Sequence, residues 1–353
     1  MTIAELAPRY LVLFAVAAVI VAVLEPLLIR YSHRWGFVDE PGERRINTKP
    51  VARLGGVAFL PSLLACLGIA FVVWPESWHE HYLGLAVAAV VLAAIGIYDD
   101  IRDMRPVIKL LGQIVVGTII FLAGYGFSPV SLPYFGGVFD LGPLDFVFTV
   151  FFVVMVINAI NFIDGLDGLA AGSAFIMAAF LLIGKVTDGL GERALPALIV
   201  LGIAGAFLLF NFHPARVFMG DTGAMLLGLL LAAEALESTS QGAAVTTLML
   251  PVVVLVIPMF DLVRTALQRA RIAKHPFKAD KTHLHHHLLE LGFGHREVVV
   301  FIYLLNVYTG IMALLYAQVT TSYRGLYLFS LALFLFITFY VIGMGGRRNA
   351  RDE

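Results

Sequence analysis

Long apolar runs, separated by short polar segments, make up most of the chain. The runs that are long enough to cross a bilayer lie near residues 10–31, 51–74, 82–98, 107–125, 144–163, 168–185, 194–211, 217–236, 243–263, 297–318 and 325–343. A helix crosses the hydrocarbon core with about 20 apolar residues, so each run predicts one transmembrane helix. The pattern therefore predicts one bundle of about ten or eleven helices that occupies the whole chain as a single domain, residues 1–353.

Composition places this bundle in a membrane. The chain is 60% hydrophobic and 14% charged, with a mean hydropathy of +0.89, whereas soluble domains have roughly 45–50% apolar and about 25% charged residues. The first apolar run is long for a signal peptide and has no A-x-A-like exit, so we expect it to be the first span. The sequence thus predicts an all-α polytopic membrane protein. Its net charge of -1 says nothing about partners, and we expect no nucleic-acid partner.

The distribution of Lys and Arg predicts the orientation of the helices. Alternate loops near residues 30–53, 99–109, 161–168, 211–217 and 264–296, together with the carboxyl-terminal tail, hold 20 of the 24 basic residues. Because positive charge is retained on the cytoplasmic side, we expect these loops to be cytoplasmic, with the amino terminus outside and the carboxyl terminus inside. On the outer side, residues 127–141 contain two short apolar runs around Gly136-Gly137, which favours a small β-hairpin over an irregular loop.

The side chains suited to chemistry are concentrated in the predicted cytoplasmic loops, so we expect one active-site cleft on that face alone. Asp99 and Asp100 close the third span, Asp103 follows, and Lys109 opens the fourth span. Adjacent carboxylates repel each other unless a cation lies close by, and oxygen ligands of this kind suit Mg²⁺. A solvated helix end with mixed charges is the alternative interpretation.

A second cluster combines amides and carboxylates at the end of the fifth span. Asn158, Asn161, Asp164 and Asp167 recur every three residues, which places several of them on one side of a helix. An ionisable group that faces lipid costs up to roughly 2.5–3.5 kcal/mol at the bilayer centre. We therefore expect these side chains to face protein, water or a ligand, since a simple polar turn would not explain the two asparagines.

Two further loops hold candidate binding groups beside glycines. Asp221 lies between glycines at the start of the eighth span, where it would either cap the helix or hold a metal ion, and the preceding Phe218 would stack on a base. In the first cytoplasmic loop, Lys49 and Arg53 precede a Gly-Gly pair at a span entrance. These two cations would hold a phosphate, or they would simply follow the positive-inside rule.

A run of histidines ends the long basic loop at residues 264–296. His283, His285, His286 and His287 follow an Asp-Lys pair, and imidazoles at this density suit the anionic phosphates of a nucleotide. Three histidines would also suffice for a zinc site, and a surface run without a role is a third interpretation.

Taken together, these motifs resemble those of the polyprenyl-phosphate N-acetylhexosamine-1-phosphate transferase family. The resemblance rests on Asp99-Asp100 with Asp103, N-A-I-N-F-I-D-G-L-D-G, F-M-G-D-T-G and H-L-H-H-H, which occur in the family's order across residues 39–295. It implies a bundle with a cleft on the inner face. It also implies that a UDP-sugar and undecaprenyl phosphate react to give an undecaprenyl-diphospho-sugar and UMP, with Mg²⁺ as cofactor and Mn²⁺ as a possible substitute.

The resemblance also implies a role for each matched residue. Asp221 would ligate Mg²⁺, and Lys109 would contact phosphate. Asp99 and Asp100 would either bind the lipid phosphate and the metal region or deprotonate the nucleophile. The remaining candidates would bind the substrates: Lys49, Arg53, Asn158, Asn161, Asp164, Asp167, Phe218, His283, His285 and His286.

Two branches of that family compete. The first loop and the D-K-T-H-L-H-H segment resemble the branch that transfers GlcNAc 1-phosphate to start lipopolysaccharide O-antigen, common-antigen or teichoic-acid linkage synthesis. The three-histidine run completed by His287 keeps the phospho-N-acetylmuramoyl-pentapeptide transferases open. Outside the family, an ion-coupled transporter would also carry membrane carboxylates, and a CDP-alcohol phosphotransferase lacks support because no Arg follows Asp167-Gly168. We expect the cytoplasmic membrane as the location, and a homodimer remains possible.

Overall fold

The structure is a computed structural model that describes residues 3–40, 50–128, 130–132, 137–239, 254–271, 284–319 and 321–352. Its helices are α1 (Ile3–Trp35), α2 (Phe59–Val73), α3 (His81–Arg102), α4 (Pro106–Leu122), α5 (Pro143–Ile163), α6 (Leu169–Thr187), α7 (Leu195–Asn211), α8 (Gly220–Thr239), α9 (Val256–Arg271), α10 (Leu284–Glu290), α11 (His295–Gln318) and α12 (Thr321–Asp352). Its strands form two antiparallel pairs, β1 (Val38–Asp39) with β2 (Val51–Ala52) and β3 (Val130–Leu132) with β4 (Gly137–Phe139).

Each predicted span except one falls on a single helix, and the run at 51–74 also contains β2 and a 3₁₀ turn (Gly55–Ala58) before α2. The exception is the run at 243–263, which lies partly outside the described residues and otherwise falls on α9. Within the described residues, six segments are long and apolar enough to cross a membrane, and α4, α7 and residues 323–338 are shorter apolar helices. Large apolar side chains such as Leu11 and Leu122 are exposed on the outside of the bundle, as expected of a surface that faces lipid. The chain is therefore a multi-pass, all-α membrane protein, as predicted.

The two strand pairs differ in how well the sequence anticipated them. The predicted hairpin is confirmed as β3–β4 between α4 and α5, in the register Val130 opposite Phe139. The β1–β2 pair was not predicted, because each of its strands is only two residues long. It returns the chain from the end of α1 to the start of α2, which brings the first polar loop back to the bundle.

Helix α8 lies at the centre of the bundle, packed against α3, α5, α6 and α7. Glycines permit the closest approaches, since a Cβ at Gly96 would lie 2.5 Å from Thr222 Cα and one at Gly228 would lie 2.7 Å from Ile157 Cα. Such distances exclude a side chain at either position. They bring the carboxyl ends of α3 and α5 against the amino end of α8, where the candidate residues lie.

A polar cluster also lies at the opposite end of α8. The Lys185 ammonium is 2.9 Å from Glu234 Oε1 and 3.4 Å from Glu237 Oε2, and Tyr82 donates a hydrogen bond to Glu237 Oε1 at 3.0 Å. All four side chains are buried. These side chains pair with one another inside the bundle, at the end of α8 opposite Asp221, and the sequence did not single them out as a group. That the active-site cleft lies on the cytoplasmic face stays a prediction.

Candidate active site

The helix ends that meet at the start of α8 enclose a cavity of about 650 Å³. Its walls come from segments that are far apart in the sequence but adjacent in the bundle. Of the predicted site residues, the following line it: Arg53, Asp100, Asn161, Asp164, Asp167, Phe218, Asp221 and His286. Asp39, Asn211 and His295 also line it, and none of them is among the predicted site residues.

Lys109 joins the two helices that carry the candidate carboxylates. Its ammonium nitrogen lies 2.9 Å from Asp99 Oδ2 on α3 and 2.8 Å from Asp221 Oδ1 on α8. The Asp99 side chain is 8% exposed, whereas that of Asp221 is 31% exposed. Asp99 also accepts a hydrogen bond from the Met104 amide at 2.6 Å. Asp99, Lys109 and Asp221 thus form a trio joined by ion pairs, and Asp221 is its most exposed member.

Asp100 caps the amino end of α8 from a neighbouring helix. Its Oδ1 accepts the Asp221 amide at 2.7 Å, and its Oδ2 accepts the Thr222 amide at 3.1 Å and the Thr222 hydroxyl at 2.6 Å. The first amides of a helix have no partner within the helix, so a carboxylate placed there satisfies them and favours the helix dipole. The cap that the sequence suggested for Asp221 is therefore supplied by Asp100, which leaves the Asp221 side chain directed at Lys109 and Asn161.

The amide and carboxylate series at the end of α5 divides between two cavities. Asn161 donates a hydrogen bond to Asp221 Oδ1 at 2.5 Å. Asn158, one turn earlier, is instead paired with Gln113 of α4 at 2.6 Å. Asn158 and Gln113 line a smaller cavity of about 160 Å³ that also contacts Asp99, Lys109 and Asn161. Gln113 was missed because a single Gln in an apolar run carries no motif.

The end of this series lies in the loop between α5 and α6. Burial, with the nearby carboxylates of Asp221, Asp100 and Asp167, raises the pKa of Asp164 to about 8. Four carboxyl groups thus face one region of the cavity, where ionising all of them is unfavourable. A divalent cation bound there would offset this repulsion.

Asp167 belongs to a group of possible metal ligands with His213 and His295, whose donor atoms lie within 4.8 Å of one another. The two imidazoles are stacked, with centroids 4.4 Å apart and planes 24° apart. Nearly parallel rings cannot both direct an in-plane nitrogen at one ion. Asp167 Oδ2 also already accepts hydrogen bonds from His213 Nδ1 at 2.7 Å and from the Ala215 amide at 3.0 Å. The group therefore ties the loop before α6 to the loop before α8.

The end of the first polar loop is held by backbone hydrogen bonds to the segment before α8. The amides of Gly55 and Gly56 donate to Phe218 O at 3.1 Å and Met219 O at 2.9 Å, and the Phe218 amide donates to Ala52 O at 2.7 Å. The glycine amides are therefore engaged within the protein. Close backbone approach explains the glycines, and it places Arg53 and Phe218 on the cavity wall.

Part of the histidine run lies in the short helix α10. His285 is 2% exposed and packs against Gly165, where an added Cβ would collide with its imidazole ring. The neighbouring His286 lines the main cavity, and the pKa of His287 is lowered by burial and by Arg264. His283 and Lys49 lie outside the described residues.

The donor set at the cavity fits Mg²⁺ better than a softer metal. The groups around Asp221 offer carboxylate and amide oxygens, which Mg²⁺ prefers. Asp221 is the accessible carboxylate among the three predicted ligands, whereas Asp99 and Asp100 are 7% and 8% exposed and already accept hydrogen bonds. Metal coordination by Asp221, Asp99 and Asp100 stays a prediction.

Comparison with known proteins identifies a matching family and several relatives. Residues 82–239 match the family described as glycosyl transferase family 4. The chain is 31% identical over 337 residues to a probable undecaprenyl-phosphate N-acetylglucosaminyl 1-phosphate transferase of Bacillus subtilis, covering 95% of this chain and 93% of the relative. It is 34% identical over 316 residues to a decaprenyl-phosphate N-acetylglucosaminephosphotransferase of Mycobacterium tuberculosis, covering 80% and 75%. An undecaprenyl-phosphate alpha-N-acetylglucosaminyl 1-phosphate transferase of Escherichia coli is 29% identical over 317 residues, covering 87% and 84%.

Proposed function

Because this chain belongs to glycosyl transferase family 4, we propose that it transfers N-acetylglucosamine 1-phosphate from UDP-GlcNAc to a polyprenyl phosphate. The observation that carries the proposal is the trio Asp99, Lys109 and Asp221, at the edge of a polar cavity in an otherwise apolar bundle. A soluble donor fits the polar cavity, and a lipid acceptor explains why the site is built into a membrane protein. The names of the three relatives favour N-acetylglucosamine over a muramoyl-pentapeptide.

The proposed reaction is a direct phosphoryl transfer. An oxygen of the acceptor phosphate attacks the β-phosphorus of the donor, and the bond from that phosphorus to the bridging oxygen breaks, so that UMP departs with that oxygen. Catalysis of this kind depends mainly on positioning and charge neutralisation. Mg²⁺, when bound at Asp221, would neutralise diphosphate charge. Asn161 and Lys109 orient the Asp221 carboxylate, and Lys109 also brings a positive charge to the cavity edge.

The two cavities support separate places for the two substrates. The larger one holds Phe218 and Asp167, which suit a base, together with Arg53 and His286, which suit phosphate oxygens. The smaller one lies between α3, α4 and α5, and it combines Lys109 with the apolar Leu110 and Phe162. This mixture suits the junction of the acceptor phosphate and its isoprenoid chain.

The charge distribution of the loops supports a cytoplasmic membrane location. The cavity would then face the cytoplasm, where nucleotide sugars occur, with the amino terminus outside and the carboxyl terminus inside. Initiation of a cell-envelope polysaccharide is the corresponding role. The identity of that polymer, the use of Mn²⁺ and a homodimer stay predictions.

UMP release by the purified protein in lipid–detergent micelles with undecaprenyl phosphate tests the proposal. We expect release from UDP-GlcNAc that requires Mg²⁺ and stops with EDTA. Asp221→Asn and Lys109→Met should each lower kcat by about 10²–10³-fold, the usual effect of removing one group that stabilises developing charge. Asp140→Asn, an exposed carboxylate beside the β3–β4 hairpin, is the matched control and should retain full activity.

Two results would overturn the proposal. Normal UMP release by a folded Asp221→Asn protein would remove Asp221 from the site. Faster release from UDP-MurNAc-pentapeptide than from UDP-GlcNAc would instead assign the chain to the muramoyl-pentapeptide branch.

A further inference from the structure

A buried carboxylate outside the cavity holds the start of the histidine-bearing helix. Asp261, in α9, is 7% exposed, and its Oδ1 accepts the amide of Leu284, the first residue of α10, at 2.9 Å. Arg264 Nη2 lies 3.5 Å from the same oxygen. Asp261 belongs to none of the sequence motifs, and it does not line the main cavity.

The position of α10 matters because the helix carries imidazoles to the cavity. A helix of seven residues is too short to be stable alone, so tertiary contacts decide where it begins and which way its side chains point. His286, two residues after Leu284, lines the cavity, and the adjacent His285 packs against Gly165. A turn of α10 by one residue would exchange these two imidazoles.

The contact with Asp261 is well suited to prevent such a turn. A carboxylate that accepts the amide at the start of a helix forms a charge-assisted hydrogen bond, aligned with the positive end of the helix dipole. Helix α9 itself packs against α5, whose last turns carry Asn158 and Asn161. Asp261 therefore joins the histidine helix to the same framework that positions the Asp221 partners.

We propose that Asp261 is a positioning residue that fixes α10 so that His286 faces the cavity, and that it thereby sets the affinity for the diphosphate of the donor. The inference rests on the proposed function for its kinetic consequence. Its structural part, the placement of His286, does not depend on which reaction the protein catalyses.

Steady-state kinetics give the first test. Asp261→Ala should raise the KM for UDP-GlcNAc about tenfold, as expected for the loss of a helix cap, with little change in the KM for undecaprenyl phosphate. Asp261→Asn retains an oxygen that accepts the Leu284 amide and should stay within about threefold of wild type. The matched control is Asp145→Ala, which removes a carboxylate that accepts the Phe127 amide, also at 2.9 Å, at the far end of α5. Its donor KM should be unchanged.

Cysteine labelling gives a readout that needs no activity. The single native cysteine, Cys66, is buried, so a water-soluble maleimide should report His286→Cys alone. We expect the labelling rate of His286→Cys to change at least threefold when Asp261→Ala is added, and to stay the same when Asp145→Ala is added.

The outcomes separate the two proposals. An unchanged labelling rate in a folded double variant, or equal changes in the donor KM with Asp261→Ala and Asp145→Ala, would overturn the positioning role. A changed labelling rate in the cysteine variants, together with no UMP release by the wild-type protein, would sustain the positioning of His286 and refute the proposed function. If Asp261→Ala does not fold, Asp261→Leu replaces it in the same comparison with Asp261→Asn, because leucine fills the space but offers no acceptor for the Leu284 amide.

Discussion

Removal of the Asp100 carboxylate should inactivate the protein by displacing Asp221. Asp100 accepts three hydrogen bonds from the first residues of α8, at 2.6, 2.7 and 3.1 Å, and two of them come from the backbone. In Asp100→Ala these buried donors lose their partner. The start of α8 would then be free to move away from Lys109 and Asn161, which both contact Asp221 Oδ1.

The size of the effect follows from these contacts. A hydrogen bond to a charged group contributes about 1.5–3 kcal/mol, and the favourable interaction with the helix dipole adds up to about 2 kcal/mol. Because the three bonds share one carboxylate, they are not additive. We expect a loss of about 3 kcal/mol in transition-state stabilisation, which corresponds to about a hundredfold in kcat/KM. Thr222→Val removes only the hydroxyl bond and should cost about fivefold, or about 1 kcal/mol.

A double-mutant cycle on UMP release checks this reasoning. If Asp100 acts through α8, Asp100→Ala with Thr222→Val should be no slower than Asp100→Ala alone, because the bond that Thr222 makes is already lost. Full activity of Thr222→Val, combined with a large rise in the Mg²⁺ concentration needed by Asp100→Asn, would refute the capping argument. That result would make Asp100 a direct metal ligand.

Three other perturbations have defined outcomes. The pKa of Asp164 is about 8 in the folded protein against an ordinary 3.8, so between these pH values the folded protein holds a proton that the unfolded chain has lost. The contribution of Asp164 to the free energy of unfolding therefore declines from about pH 4 to pH 8. In EDTA, Asp164→Asn should have a higher melting temperature than wild type at pH 8 but not at pH 4. Lys185→Met leaves two buried glutamates without their cation and should cost about 3–5 kcal/mol of stability, measured as a lower melting temperature. The kcat of the folded fraction should be unchanged, because the cluster lies about 24 Å along α8 from the site. Gly165→Ala should lower UMP release at least tenfold by displacing His285, whereas Gly68→Ala, which meets open space, should have no effect; equal activities would exclude the contact.

The sequence by itself determined the membrane bundle and the identity of half of the residues that line the main cavity. Apolar runs of about 20 residues have only one stable form in a bilayer, since a helix satisfies its own backbone hydrogen bonds there. The three-residue spacing of Asn158 and Asn161 placed them together at the end of α5, whereas Asp164 and Asp167 lie in the loop that follows the helix. Short strands such as β1 and β2, and the helix α10, had no comparable signal because tertiary contacts stabilise them.

Only the tertiary structure decided how the polar residues divide their roles. Nothing in the order of residues shows that Asp100, and not Asp221, caps α8, since that depends on the close approach that Gly96 allows between α3 and α8. The same holds for Asp261, whose partner is 23 residues away. Local patterns record which residues lie on one face of a helix. Packing between helices that are distant in the chain decides which two faces meet, and only folding brings such helices together.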